Sequence, residues 1–550
     1  MIFENAEGLD KGGVLCAVPA LLSLGLLSHS KKHFGLPAGY YPMESILLCV
    51  AFLALARVQS MEGLRYEAPG EWGRLLGLDR VPEVRTLREK IGLLCEDEAK
   101  VREWSSGLAR EWMELESDGA GSLYIDGHVR VYHGGLTKLP ARYVARQKLC
   151  MRGTTDYWVN AMDGAPFFSV SQSADPGLLQ TLENEILPRL LEDVPNQPTE
   201  EELAADLLRE RFTLIFDRAG YSPAAFKRLW EKRVAVTTYH KNPGEPWPET
   251  EFNLQKATLV SGEEVELSLA ERGVQLLPEF WVREVRQLEP GGHQVAIIST
   301  DFRRDLRKIA AAMFARWCQE NFFQYMKKHY GLDRMIEYGT APLPDATKVV
   351  NPAWRKLDQA VRRESAKLKN LQSQLVSRTL SMKADEEKAR RFERETGALL
   401  LEIKAKEEQL ETDKQSRKTT RRHLLWKDLP QEERFQQLLP TKKHFIDTIR
   451  LMAYRAETSL ACIVREKLKR DDDARSLVRQ ILCSAADLIP DQSAQTLTVR
   501  LHAMSSPIHD AALQHLCAEL NATETPFPGT SLRLLFQPVG LPIFPRDQEP

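Results

Sequence analysis

Along residues 1–117 the apolar positions recur with helical spacing and show no sustained alternation, which predicts an all-helical N-terminal domain. Two continuous apolar stretches, Val14 to Leu27 and Ile46 to Val58, are too short for comfortable membrane spans, and Pro19 and Ser23 interrupt the first. They predict core helices. EWGRLLGLDRVPEVRTLREKIGLL follows as two amphipathic pieces about a turn at Asp79 to Pro82. That pattern suits a DNA-binding helix-turn-helix and a plain scaffold hairpin equally.

From Gly121 the period changes to that of strands: SLYIDGHVRVY, then DYWVNAM and PFFSVS joined by Asp163-Gly164, a dipeptide of tight hairpin turns. Helical spacing returns from Pro176 to about Arg211. FTLIF then ends at Asp217, Ser222-Pro223 supplies a cap and first residue for a helix, and VAVTTY follows. Residues 241–300 open with the loop NPGEPWPE and continue as short alternating runs, predicting an inserted β subdomain. The chain returns through VAIIST to a long helix starting near Asp301. Strand, hairpin, helix, strand, helix, strand is the order of a ribonuclease-H-like core, so the fold class expected for 118–345 is α/β.

Residues 355–422 carry a heptad line at Val361, Leu368, Leu375, Met382, Ala389, Thr396, Ile403 and Leu410, with a patchier second line. A coiled coil and a helical hairpin both fit, the hairpin turning at Gly397. The segment holds 19 Lys+Arg against 12 Asp+Glu and ends in SRKTTRR, which suits a solvated face or a DNA-contacting arm. Residues 423–550 read as a small α+β C-terminal unit with no evident chemistry.

Composition narrows the classes. A chain of 550 residues is too long for one core. A formal charge of −2 gives no whole-chain sign of a polyanion partner, so any basic surface is local. The eight cysteines form no CxxC pair and no zinc spacing, which predicts reduced, mostly buried thiols and a cytoplasmic protein. The acidic flank Glu4, Glu7 and Asp10 is wrong for a signal peptide, and no membrane association is expected.

Three carboxylates carry the candidate chemistry. Asp126 in YIDGH and Asp217 in IFDRAG each follow a strand run, and Glu320 in RWCQENFFQYMK sits on a helix. Two strand-end carboxylates and one helix carboxylate can meet at one point of an α/β sheet. Phosphodiester chemistry uses two divalent ions about 4 Å apart, and hard ions such as Mg²⁺ or Mn²⁺ want oxygen ligands. Asp126 is the expected bridge, with Asp217 and Glu320 holding one ion each. Arg316, Glu320 and Lys327 share one helix face, with Trp317 and Phe322-Phe323 on its buried side. The loop expected after Asp126 carries Arg130, Lys138, Arg142, Arg146, Lys148 and Arg152 with no acid between Arg130 and Arg152, suiting a nucleic-acid backbone. His128 and His133 flank Asp126, but hydrogen-bonded structural roles suit them better than ligation.

The spacing R-x3-E-x6-K at Arg316, Glu320 and Lys327 resembles the third-carboxylate motif of DDE-type insertion-sequence transposases of the Y-x2-R-x3-E-x6-K group. IFDRAGYS resembles their second-aspartate motif, YIDGH stands at the place of the first, and 241–300 at that of their β insertion. The motif's tyrosine is Met313 here. The resemblance implies Asp126, Asp217 and Glu320 as catalytic metal ligands and Arg316 and Lys327 as contacts to end DNA. It also implies double-stranded DNA, both element ends and target, as substrate. Joining two ends implies a homodimer on DNA, nucleoid-associated when bound. A nuclease of the same fold without strand transfer, and a non-catalytic DNA-binding protein derived from a transposase, are the alternatives.

Overall fold

The computed structural model describes residues 1–540 except 136, 145–146, 148, 173–174, 260–261, 335, 337–338, 381–385, 471–472 and 505, and gives backbone alone at 142–143, 378–380 and 386–395. The chain divides into two compact units: Met1–Tyr132 with Ala141–Gly339 and Leu438–Pro550, and His133–Pro140 with Thr340–Gln437. Among the described residues no helix is long and apolar enough to cross a membrane.

In the first unit a short strand β1 (Ala6–Leu9) precedes the helices. The helix Met43–Leu55 is buried at twelve of its thirteen residues, which accounts for its unbroken apolar run. The main sheet comprises β2 (Ser122–Val131), β3 (Ala141–Val144), β4 (Leu149–Ala161), β5 (Pro166–Gln172), β6 (Phe212–Phe216), β7 (Val234–Tyr239), β8 (Asn253–Thr258), β9 (Glu264–Leu277), β10 (Phe280–Leu288) and β11 (Gln294–Ser299). Its order is β3-β4-β2-β6-β7-β11-β10-β9-β8, with β5 also on β4. β2, β6 and β7 run parallel, while β4 is antiparallel to β2 and β5 to β4. The β4–β5 turn uses Asp163-Gly164, where Gly164 has φ +91° and the Asp163 carboxylate accepts from the Ala165 N–H at 2.8 Å.

The β insertion expected at 241–300 carries β8 to β11, which extend the main sheet, β11 pairing antiparallel with β7 (Ile297 opposite Tyr239). One expectation for this region is corrected. The helix expected from Asp301 is two helices, Leu306–Phe314 and Trp317–Tyr330, broken at Ala315 and Arg316.

In the second unit, β12 (Thr340–Pro342) pairs with β15 (Gln436–Leu438) and β13 (Lys348–Val350) with β14 (His423–Leu425). Between β13 and β14 lie the helices Pro352–Leu380 and Glu386–Thr419. Arg417 pairs with Asp358 and Lys406 with Glu364, which fixes an antiparallel arrangement. Val361, Leu399, Ile403 and Leu410 are buried. Gly397 lies inside the second helix and makes no turn. Met382 falls outside the described residues.

The C-terminal stretch is not the expected small separate unit. Its helix Thr441–Arg465 buries seventeen of its twenty-five residues in the first unit. The strands β16 (Ala486–Asp491), β17 (Thr496–Leu501) and β18 (Arg533–Pro538) form a sheet with β1 at one edge, Ala6 opposite Leu488. The N-terminal region is therefore not all helical: its first strand completes a sheet made by the last hundred residues.

Candidate active site

The site begins with the register of three parallel strands. Ile125 of β2 stands opposite Phe216 of β6, and Ile215 of β6 opposite Thr237 of β7. One further residue along β2 and β6 sets Asp126 beside Asp217, and two further along β6 and β7 set Asp217 beside Tyr239. Side chains alternate between sheet faces, so Asp126, Asp217 and Tyr239 share a face with Tyr124, Ile215 and Thr237. Tyr124 and Ile215 pack there with Ile309 and Met313 of the helix Leu306–Phe314. Asp126 is therefore not at the end of its strand. β2 continues to Val131 on β4 alone, and the carboxylate marks the point where β6 stops.

Asp217 caps the short turn that follows β6, its carboxylate accepting from the Ala219 N–H at 2.8 Å. The Thr238 hydroxyl donates to its carbonyl at 3.1 Å. The third carboxylate depends on the helix break. Arg316 is the N-cap of the helix Trp317–Tyr330, which puts Glu320 in its first turn, where the helix dipole favours an anion. Gln319, fully buried, ties that turn to the sheet by donating to the Asn160 side-chain oxygen at 2.9 Å.

Arg316 lies between two of the three acids, 3.8 Å from Asp126 and 3.7 Å from Glu320. Its Nη1 is buried without a hydrogen-bond partner. Burial pushes Asp126 up to about 6, opposed by Arg316 and reinforced by the negative charges of Asp217 and Glu320. Burial also raises the Tyr239 phenol, with Arg316 and Arg218 acting against the rise and Glu320 adding to it. The Arg218 guanidinium stands 5.6 Å from the centre of the Tyr239 ring. Among the described residues no group of three His, Cys, Asp or Glu side chains is gathered closely enough to hold a metal ion. Two of the expected ligands instead face a guanidinium.

The remaining candidates divide. Lys327 lies in the last turn of the Glu320 helix and is partly exposed. Arg130 is corrected as a DNA contact. It is the fifth residue of β2 after Ile125, is 1% exposed, and pairs with Asp447 at 3.1 Å and Asp156 at 3.5 Å. The strand simply continues where a loop was expected, turning this cation into the interior. Arg142 is on β3 but its side chain lies outside the described atoms, and Arg146 and Lys148 fall outside the described residues. Trp317, expected on the buried side of its helix, is 50% exposed, while Phe322 and Phe323 are buried. His128 is held structurally, its Nε2 2.6 Å from Asp333 and its ring stacked on Phe323. Tyr239 and Arg218 were not singled out in the sequence; their signal was position, Arg218 following the second aspartate and Tyr239 ending the strand parallel to it.

The family model described as "Transposase protein" matches residues 2–540. The chain belongs to this transposase family. The match covers the helical N-terminus, both units and the C-terminal sheet, so the transposase family's common sequence extends well beyond the three strands around Asp126. No curated protein matches the chain.

Proposed function

We propose that this transposase cuts DNA at the ends of its own element and joins the freed 3′-hydroxyl to target DNA, using Asp126, Asp217 and Glu320 as one site. The observation that carries this reading is the juxtaposition of the three acids: Arg316 stands between Asp126 and Glu320, Asp217 follows the β6 residue that pairs with Ile125, and Asp126, raised mainly by burial, is raised further by Asp217 and Glu320. The strand order β5-β4-β2-β6-β7, with β2, β6 and β7 parallel and the β4–β5 hairpin outside them, supports a ribonuclease-H-like core. The R-x3-E-x6-K spacing supports the DDE type.

The donor set suits Mg²⁺ or Mn²⁺. It is all carboxylate oxygen, and Asp126 is raised first by burial and then by the charges of Asp217 and Glu320, so a cation beside it would relieve both. Two such ions, when bound by Asp126, Asp217 and Glu320, supply Lewis-acid polarisation of the phosphate and a more acidic water. The chain's own residues position the reaction. The Ala219 N–H fixes Asp217, the helix break fixes Glu320, and Arg316 and Lys327 meet the incoming phosphates. In each step the attacking oxygen, of water in cutting and of the 3′-hydroxyl in joining, loses its proton and forms a new P–O bond in line, while the opposite bridging oxygen leaves with its electron pair and takes up a proton from solvent. Joining two ends requires two copies of the site, hence a homodimer on DNA.

Asp217→Ala is expected to abolish Mg²⁺-dependent cutting and joining of duplexes taken from the flanks of the protein's own gene, with DNA affinity retained. Full activity in that variant removes Asp217 from the site. Lys327→Ala is expected to weaken binding to end DNA and to reduce its salt slope by about one. An unchanged slope puts Lys327 off the DNA path.

A further inference from the structure

The second unit is charged differently from the rest of the chain. Its residues hold 23 lysines and arginines against 16 aspartates and glutamates, in a protein whose total is −2. Part of that excess gathers where the helix Glu386–Thr419 runs into β14. A groove of about 750 Å³ there is lined by Lys414, Arg417, Lys418, Arg421, Arg422 and Trp354, with Glu411 the one acid.

The groove is built on a fixed backbone. The Asn351 N–H donates to the Arg422 carbonyl and the Asn351 side-chain amide to the Arg421 carbonyl, both at 2.9 Å. The Asn351 side-chain oxygen accepts from the Ala353 N–H at 3.0 Å. β14 then pairs with β13, Val350 opposite His423. The carbonyls of 421 and 422 are thus turned toward Asn351, and both arginines are exposed. Arg417 is oriented by Asp358 at 2.8 Å, and the Arg422 guanidinium sits 5.1 Å from the Trp354 ring centre. Among the described residues Lys418, Arg421 and Arg422 have no carboxylate within 4.0 Å.

Cations in the last turn of a helix are ordinarily answered by its dipole. That accounts for Arg417 and Lys418 but not for Arg421 and Arg422, which lie beyond the helix end. Burial, followed by the positive charges of Arg422 and Lys348, holds His423 below the ordinary imidazole range. The cluster therefore keeps an unneutralised positive field, and its one aromatic face is occupied by Arg422. A strand that stacked its bases would need that face free, whereas a duplex backbone needs only the charges.

We propose that this groove binds the phosphate backbone of double-stranded DNA without reading sequence, as a second contact surface separate from the carboxylate site. The assignment rests on the reading that the protein acts on DNA, though not on the roles of Asp126, Asp217 and Glu320. The test is fluorescence anisotropy of the full-length protein on a duplex of about 30 base pairs unrelated to its gene flanks, across a series of NaCl concentrations. Loss of three phosphate contacts makes the slope of log affinity against log salt shallower by roughly 2–3. That is the result expected for the triple variant Lys418→Ala, Arg421→Ala, Arg422→Ala. The charge-keeping triple Lys418→Arg, Arg421→Lys, Arg422→Lys is expected to keep the parental slope. A parental slope in the alanine triple overturns the proposal. Equal loss in both triples overturns it as well, since that marks a structural role.

Discussion

At the scale of single residues, buried charge outweighs the surface cations that first attract attention. Arg130, Lys443 and Arg450 surround Asp447, at 3.1, 2.8 and 3.0 Å. Burial alone would raise the Asp447 carboxyl, but Lys443, Arg130 and Arg450 outweigh it and hold it far below the usual carboxylate range. Because the folded value is depressed, its stabilisation is complete above the unfolded value of about 4 and is lost as pH falls through the folded one. Asp447→Asn, which leaves Arg450 without its carboxylate and Arg130 and Lys443 sharing Asp156 alone, is expected to cost about 3–5 kcal/mol in urea unfolding at pH 7. The same variant should lose less stability than the parent between pH 4 and pH 3; an equal loss would contradict the assignment. The sequence could not reveal this cluster, because Arg130 and Asp447 are separated by 317 positions. Two of the three proposed acids stand out in the sequence for a local reason: Asp126 and Asp217 directly follow Ile125 and Phe216, the residues that pair β2 with β6. Arg316 was legible as a cation near Glu320 but not as the group between Glu320 and Asp126, because that depends on where the helix breaks.

At the scale of elements, apolar period identified the strands well and helix limits poorly. β2, β6 and β7 stand where alternation and apolar runs predicted them, but Asp126 lies inside β2 because pairing with β4 continues to Gly153. The run from Leu306 to Tyr330 holds no Gly or Pro, so nothing local in the sequence marks the break at Ala315 and Arg316. The exit of that helix is legible in Gly331, which takes a left-handed C-cap at φ +63°. A Cβ there would lie 2.7 Å from the Gln59 carbonyl oxygen. Gly331→Ala is expected to destabilise the fold by at least about 1–2 kcal/mol, from the left-handed backbone alone. A thermal midpoint equal to the parent's would show that the cap is not held as described. Gly397 illustrates the reverse case: a glycine offered a turn, but the two long helices bury Leu399 and Ile403 around it and the chain stays helical.

At the scale of the molecule, sequence proximity misleads most. The C-terminal segment from Leu438 contributes the helix Thr441–Arg465 to the core of the first unit, and β16 accepts β1 from the N-terminus. Neither partnership leaves a local trace, since an apolar helix and an alternating strand read alike whether their partners are near or far. The long segment 340–437 of the second unit is bracketed by neighbouring residues, the Leu439 N–H donating to the Gly339 carbonyl at 3.0 Å, and His133–Pro140 is a second, shorter excursion. Replacing 341–436 by a short Gly-Ser linker is therefore expected to leave the remainder folded with a cooperative thermal transition, whereas truncation after Leu438 should abolish that transition. A cooperative transition in the truncated chain would contradict the role given to the Thr441–Arg465 helix.

The central claim is that Asp126, Asp217 and Glu320 act together on divalent cations, and titration of the full-length protein with Mn²⁺ by calorimetry in the presence of end DNA tests it most directly. The account predicts saturable binding that is lost in Asp126→Ala, Asp217→Ala and Glu320→Ala alike, because each removes a ligand from the same pair of ions. Parental Mn²⁺ binding in any one of the three would contradict it.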